Sequence, residues 1–104
     1  MLHIFGETEE DGTTPTGNVV LDKQGNLYGI TAWGGSHSLG IVYAVNAAGQ
    51  ETVLHTFTSA GGDGAGPGAG LVSDAFGNFY STTGRGGDTR ACAGGCGTVF
   101  KISP

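Results

Sequence analysis

The chain has 104 residues, 22 of them Gly, with 38% hydrophobic and only 12% charged residues, against about 7% Gly and about 25% charged residues in ordinary domains. That length confines it to about one small domain; five Phe, three Tyr and one Trp argue against disorder, and three Pro with no three-residue glycine period exclude collagen. Four basic against nine acidic residues give a formal charge of −5, which repels phosphate backbones and anionic membranes, so nucleic acid is not an expected partner.

Taken from the N-terminus, Leu2-His3-Ile4-Phe5 opens a pattern that repeats. It returns as Leu54-His55-Thr56-Phe57, and the same period of 52 carries Asp11-Gly12 to Asp63-Gly64, Pro15 to Pro67, Asp22 to Asp74, and Gly25-Asn26-Leu27-Tyr28 to Gly77-Asn78-Phe79-Tyr80. Thr31 and Gly34-Gly35 recur as Thr83 and Gly86-Gly87. Beyond them the offset grows to 57, where Gly40-Ile41-Val42-Tyr43 becomes Gly97-Thr98-Val99-Phe100, so the second copy holds a five-residue insertion that contains both cysteines. Self-similarity at a fixed period marks stacked or radial repeat folds.

Each copy divides into short segments rich in Val, Ile, Thr, Tyr and Phe, which suit pleated, half-buried surfaces. In the first copy, strands a to d are expected at about 17–22, 26–32, 40–46 and 51–57. Their second-copy counterparts are expected at 69–74, 78–84 and 97–103, and a lone d-type strand at 2–5. Asp22-Lys23-Gln24-Gly25, Asn46-Ala47-Ala48-Gly49 and Asp74-Ala75-Phe76-Gly77 read as tight hairpins, with Asp or Asn capping the turn and Gly supplying positive φ. No window carries a helical period with caps, so no helix is expected. No apolar run approaches the roughly 20 residues that span a bilayer, and no charged-then-apolar leader opens the chain. A soluble, mature or trimmed chain is expected.

The fold class that follows is all-β, a β-propeller of four-stranded antiparallel blades with two blades per chain. Residues 1–104 form one two-blade unit: 15–57 make the first blade, and 67–104 make a second blade without its own strand d. Two blades cannot close a ring, so residues 2–5 are expected to complete the blade of a neighbouring chain. The expected partner is therefore the chain itself, in a head-to-tail homo-oligomer that closes by rotation. A trimer of six blades is favoured over a tetramer of eight.

Gly25-Asn26-Leu27-Tyr28-Gly29-Ile30-Thr31, Gly34-Gly35, Leu54-His55-Thr56-Phe57, Asp63-Gly64 and Gly97-Thr98-Val99-Phe100-Lys101-Ile102 resemble the GloVer (Gloeo/Verruco) repeat. More distantly, the a and b strands are similar to those of NHL-type propellers. The resemblance implies a propeller-like architecture and an extracellular or cell-surface setting on a bacterium; it carries over no catalytic residue. The first copy departs from the pattern at Ile41-Val42-Tyr43-Ala44-Val45, where a Thr-Val-Phe-Lys-Leu type of strand is usual.

In a four-stranded meander the a–b and c–d turns share one end, and the long b–c and d–a loops share the other, where binding usually resides. Trp33, His37, Arg85, Asp88 and Arg90 fall in that second group, a mixture suited to stacking on a carbohydrate or gripping a small carboxylated ligand. The plainer reading of Trp33 is a cover over the gap between blades. Asp11 and Asp63 could offer carboxylates to Ca²⁺, but no dense Asp-x-Asp-x-Asp-Gly pattern is present and capping of their own loops is the simpler role. No metal and no cofactor is expected. His3 and His55 recur at a strand position, which blade packing explains. Cys92 and Cys96 enclose Ala-Gly-Gly, a spacer that allows a small disulfide loop; Cys-x3-Cys without a neighbouring His is short of the four ligands of a zinc site.

Gly-x-Ser-x-Gly, Gly-Lys-Ser/Thr and His-Glu-x-x-His are all absent, as is Asn-x-Ser/Thr. The expected function is a non-catalytic module, structural or ligand-binding. The alternatives are a metal-dependent propeller hydrolase or lactonase, and a designed or excised propeller fragment with no evolved ligand. In protein purified under air, alkylation mapping should find Cys92 and Cys96 blocked until a reductant is added; two reactive thiols at the outset would contradict the bridge.

Overall fold

A computed structural model describes residues 3–58, 63–68, 70–87 and 95–103. Among the described residues, eight strands run in the order β1 (Gly12–Leu21), β2 (Leu27–Gly34), β3 (Ile41–Val45), β4 (Glu51–Thr56), β5 (Gly64–Pro67), β6 (Val72–Ser73), β7 (Phe79–Gly86) and β8 (Thr98–Ile102). All pairings are antiparallel. The first sheet has the order β1-β2-β3-β4. In the second, β5 and β6 both pair with β7, and β8 pairs with β7 as well. Thr83 opposes Pro67 and Thr98, and Phe79 opposes Ser73 and Ile102. Hence β5 and β6 lie end to end along one edge of β7, with β8 along the other. Among the described residues there is no helix, and none long and apolar enough to cross a membrane.

The three expected hairpins form by the chemistry that predicted them. Asp22 Oδ1 accepts from the amides of Gln24 and Asn26, Asp74 Oδ1 from those of Phe76 and Asn78, and Asn46 Oδ1 from those of Ala48 and Gln50. Gly25, Gly49 and Gly77 follow with φ of 87°, 84° and 83°, values that only glycine adopts freely.

Strand a differs from expectation. It begins at Gly12 rather than near residue 17, because the chain before the bulge also pairs: Gly12–Thr16 oppose Gly34–Ile30, and the register shifts between Thr16 and Val20. Pro15 is tolerated because β1 is an edge strand. In the second copy the same strand is split into β5 and β6. Thr14 takes a φ of 57° where the second copy has Gly66 at 61°, a conformation a threonine adopts only under strain. Residues 3–5, expected as part of a d-type strand, have no strand pairing within the chain.

The core lies between the two sheets. Tyr28 and Ile30 of β2 and Val42 of β3 face Phe79 of β7 and Leu71, and Phe57 is inserted beside them. The Tyr28 and Phe79 rings stack with centroids 4.3 Å apart. Phe57 is only 1% exposed; it meets Phe100 edge-on at 5.2 Å, and its amide donates to Gly40 O. The opposite face of the first sheet buries Ile41, Tyr43 and Val45, covered by Phe5 and Val53. Phe5 meets Tyr43 edge-on at 5.0 Å. Phe5 therefore stands to β3 as Phe57 stands to β8.

A threonine holds the b–c connection of each copy. Thr31 Oγ1 donates to Trp33 O and accepts from the Ile41 amide; Thr83 Oγ1 donates to Arg85 O and accepts from the Thr98 amide. Gly12 and Gly64 pack directly over these side chains, and a Cβ at either glycine would overlap the threonine Oγ1. Thr31→Val keeps the shape but removes the hydroxyl's bonds to the buried Ile41 amide and to Trp33 O. It should cost about 1–3 kcal/mol in chemical denaturation, whereas a loss under about 0.3 kcal/mol would show the hydroxyl to be dispensable.

Candidate functional site

Asp11 stands at the mouth of β1, 5% exposed. Its Oδ1 accepts from the Gly12 amide at 2.9 Å, and its Oδ2 from the Gly6 amide at 2.9 Å and from His3 Nε2 at 3.0 Å. Its carbonyl takes the Gly35 amide. One residue thus fastens the N-terminal segment, the start of β1 and the b–c loop. Asp63 repeats the arrangement: Oδ1 accepts from Gly64, Oδ2 from the Thr58 amide, both oxygens lie 3.1 Å from His55 Nε2, and its carbonyl takes the Gly87 amide. Both aspartates cap their loops, the simpler of the roles open to them. His3 and His55 also pack edge-on against Phe5 and Phe57.

The first copy adds a group that sequence reasoning missed. Glu51, the first residue of β4, brings Oε2 to 3.2 Å from His3 Nε2. His3, Asp11 and Glu51 each offer a ligand atom, all within 4.8 Å of one another. Burial, and then a proton shared with the Asp11 carboxyl and the charge on it, push the Glu51 carboxyl up to about 7. For Asp11, burial works upward but is outweighed by hydrogen bonds with Glu51, the Gly6 amide and His3, which hold it below the ordinary 3.8. Burial and the charge of Glu51 raise the Tyr43 phenol.

Of the residues expected in the b–c loops, the structure joins two and places both in strands instead, Trp33 in β2 and Arg85 in β7, because pairing with β1 and β5 extends strand b past residue 32. Arg85 Cζ lies 4.9 Å above the ring of Trp33, and Trp33 remains 48% exposed. The two occupy the same position in successive copies, so the pair bridges the sheets. His37 is exposed in the b–c loop. Asp88, Arg90 and Cys92 lie outside the described residues, and the Cys92–Cys96 pairing with them.

A cleft of about 460 Å³ opens at the opposite end, between the two a–b hairpins, lined among others by Leu21, Lys23, Ser73 and Phe76. Its carboxylates are already engaged. Asp22 Oδ2 accepts from Asn26 Nδ2 and Tyr28 OH, and Asp74 Oδ2 from Asn78 Nδ2 and Tyr80 OH. The Asn78 side chain and amide, ahead of the smaller contributions, draw Asp74 down to about 2. These acids build turns and have no proton to exchange near neutrality.

The raised Glu51 has a consequence for stability. Between its ordinary 4.5 and about 7 the folded chain retains a proton that the unfolded chain releases, so the contribution is full below about 4.5 and is lost as pH rises through 7. The lowered aspartates act below 3.8, outside that window. With EDTA present, Glu51→Gln should shrink the fall in melting temperature between about pH 5 and pH 8; an unchanged fall would contradict this account.

Comparison with curated proteins and with solved structures gives no match. The pattern of the Gloeobacter/Verrucomicrobia repeat matches residues 1–104. It spans both sheets, the paired His–Asp clamps and the three Asx hairpins, and this chain belongs to the Gloeobacter/Verrucomicrobia repeat family.

Proposed function

We propose that the chain is a non-catalytic β-propeller module, a scaffold of a bacterial extracellular or surface protein, whose ring is completed head to tail by further copies of itself. One comparison carries the reading. Val42 is fully buried where the first sheet meets the second, while Val99, its counterpart on β8, is 79% exposed. The second sheet thus presents the kind of face the first sheet buries, and a third sheet stacked there would cover it. Residues 3–5 fit the complementary role: they sit against the first sheet as residues 55–57 sit against the second, with no strand partner of their own, and β8 has one edge that β7 does not use. An open strand edge invites pairing with another chain.

The engagement of four of the described aspartates in loop and turn hydrogen bonds supports a scaffold over a hydrolase. Asp11, Asp22, Asp63 and Asp74 each accept several hydrogen bonds that shape the backbone. If this end of the sheets binds a ligand, Trp33 near the end of β2 and Arg85 near the end of β7 present the stacking surface, suited to a sugar face or a carboxylated small molecule. The extracellular setting rests on the family resemblance and on the cysteine pair.

Light scattering on micromolar protein should return three times the 10.4 kDa of one chain. Val99→Glu places a charge on the exposed face without touching the core, and should reduce the mass to that of one chain. A single-chain mass for the parent protein would overturn the ring, as would a variant that assembles unchanged.

A further inference from the structure

We propose that His3 Nε2, Asp11 Oδ2 and Glu51 Oε2 form a binding site for a first-row divalent cation, with Zn²⁺ the ion that best suits the donor set. The inference does not depend on the ring, since all three donors belong to one chain. They come from three separate places: the N-terminal segment, the residue before β1, and the first residue of β4.

Geometry is the first argument. The imidazole nitrogen lies 3.0 Å from the Asp11 oxygen and 3.2 Å from the Glu51 oxygen. A tetrahedron with bonds of about 2.1 Å has edges of about 3.4 Å, so adjustments of a few tenths of an ångström at the imidazole and closure of the two carboxylates complete the site. Three protein ligands leave a fourth position for water.

Unsatisfied chemistry is the second. Glu51 Oε2 is buried and has no hydrogen-bond donor in good geometry; His3 Nε2, the nearest, is directed at Asp11. A cation there would give Oε2 a partner and take the place of the proton that the Glu51 and Asp11 carboxyls otherwise share. The mixed imidazole and carboxylate set favours zinc and its neighbours, since Ca²⁺ takes six to eight oxygens and Mg²⁺ a near-ideal octahedron.

The second copy is an internal control. His55 and Asp63 repeat the first two donors, but there Thr58 Oγ1 approaches Asp63 Oδ2 at 3.3 Å, and no third acidic or imidazole donor joins them among the described residues. The ion would pin residues 3–6, and with them Phe5, onto the face they cover.

The test uses the full chain, stripped with EDTA and dialysed, titrated with ZnCl₂ by calorimetry and with Co²⁺ by visible absorption, whose intensity rises in tetrahedral coordination. One equivalent should bind at a Kd on the order of 10 µM or below. His3→Ala and the isosteric Glu51→Gln should each weaken it at least about 100-fold, because even outer-shell partners are worth about 10–100-fold. His55→Ala and Cys92→Ser/Cys96→Ser should bind as the parent does. Glu51→Gln removes a buried charge and is expected to fold at least as well as the parent, so loss of binding in it reports the site. Failure to bind Zn²⁺ or Co²⁺, binding that survives His3→Ala and Glu51→Gln, or binding lost with His55 or the cysteines would each overturn the proposal.

Discussion

Phe57 is where two sheets become one structure. It follows directly after β4, so its position is fixed by the first sheet, yet its ring is spent on the second, against Phe100. Full burial of such a side chain is worth about 1.5–3 kcal/mol, a large part of the roughly 5–15 kcal/mol that separates folded from unfolded domains. The hydrogen bonds around it matter mainly by aiming it. His55 and Asp63 fix the turn after β4, and the Phe57 amide is held by Gly40 O. The stacking of Tyr28 on Phe79 and the burial of Leu71 then follow, because the sheets can approach only in the alignment that seats this ring.

The scarcity of basic residues shapes the electrostatics. With four Lys and Arg against nine Asp and Glu, most acids must find partners other than salt bridges. Asp22 and Asp74 draw on backbone amides, an Asn amide and a Tyr hydroxyl; Asp11 and Asp63 draw on backbone amides and a histidine. These donors hold the carboxylates ionised while ordering the backbone. Glu51 is the exception: burial and the Asp11 carboxyl work against its charge.

What the sequence made legible was local. The three hairpins could be read because an Asx side chain and a glycine three residues later determine the turn almost alone. Strand a could be read only in part, since Pro15, Gly12 and Gly17 look like punctuation, and the left-handed Thr14 belongs to a bulge that the sheet imposes. The His–Asp clamps left a signal, namely histidine and aspartate eight residues apart in both copies. Glu51 left none: its counterpart would fall after Pro104, so no recurrence singles it out, and its approach to His3 depends on where β4 begins. Trp33 and Arg85 read as loop residues but lie near the ends of strands β2 and β7, each paired with a neighbouring strand, and their stacking required the second sheet to lie across the first.

That Phe5 and Phe57 are each carried by the segment preceding the sheet they cover gives the molecule a direction, like overlapping roof tiles. Each sheet is sealed from its N-terminal side; the first turns its other face to the second, and the second leaves Val99 exposed on its own. Under mechanical load the two ends would therefore respond differently. A pull on the N-terminus lifts residues 3–6 and uncovers one face while the joint between the sheets stays closed. A pull on the C-terminus must strip β8 from β7, and with it the surface on which Phe57 rests.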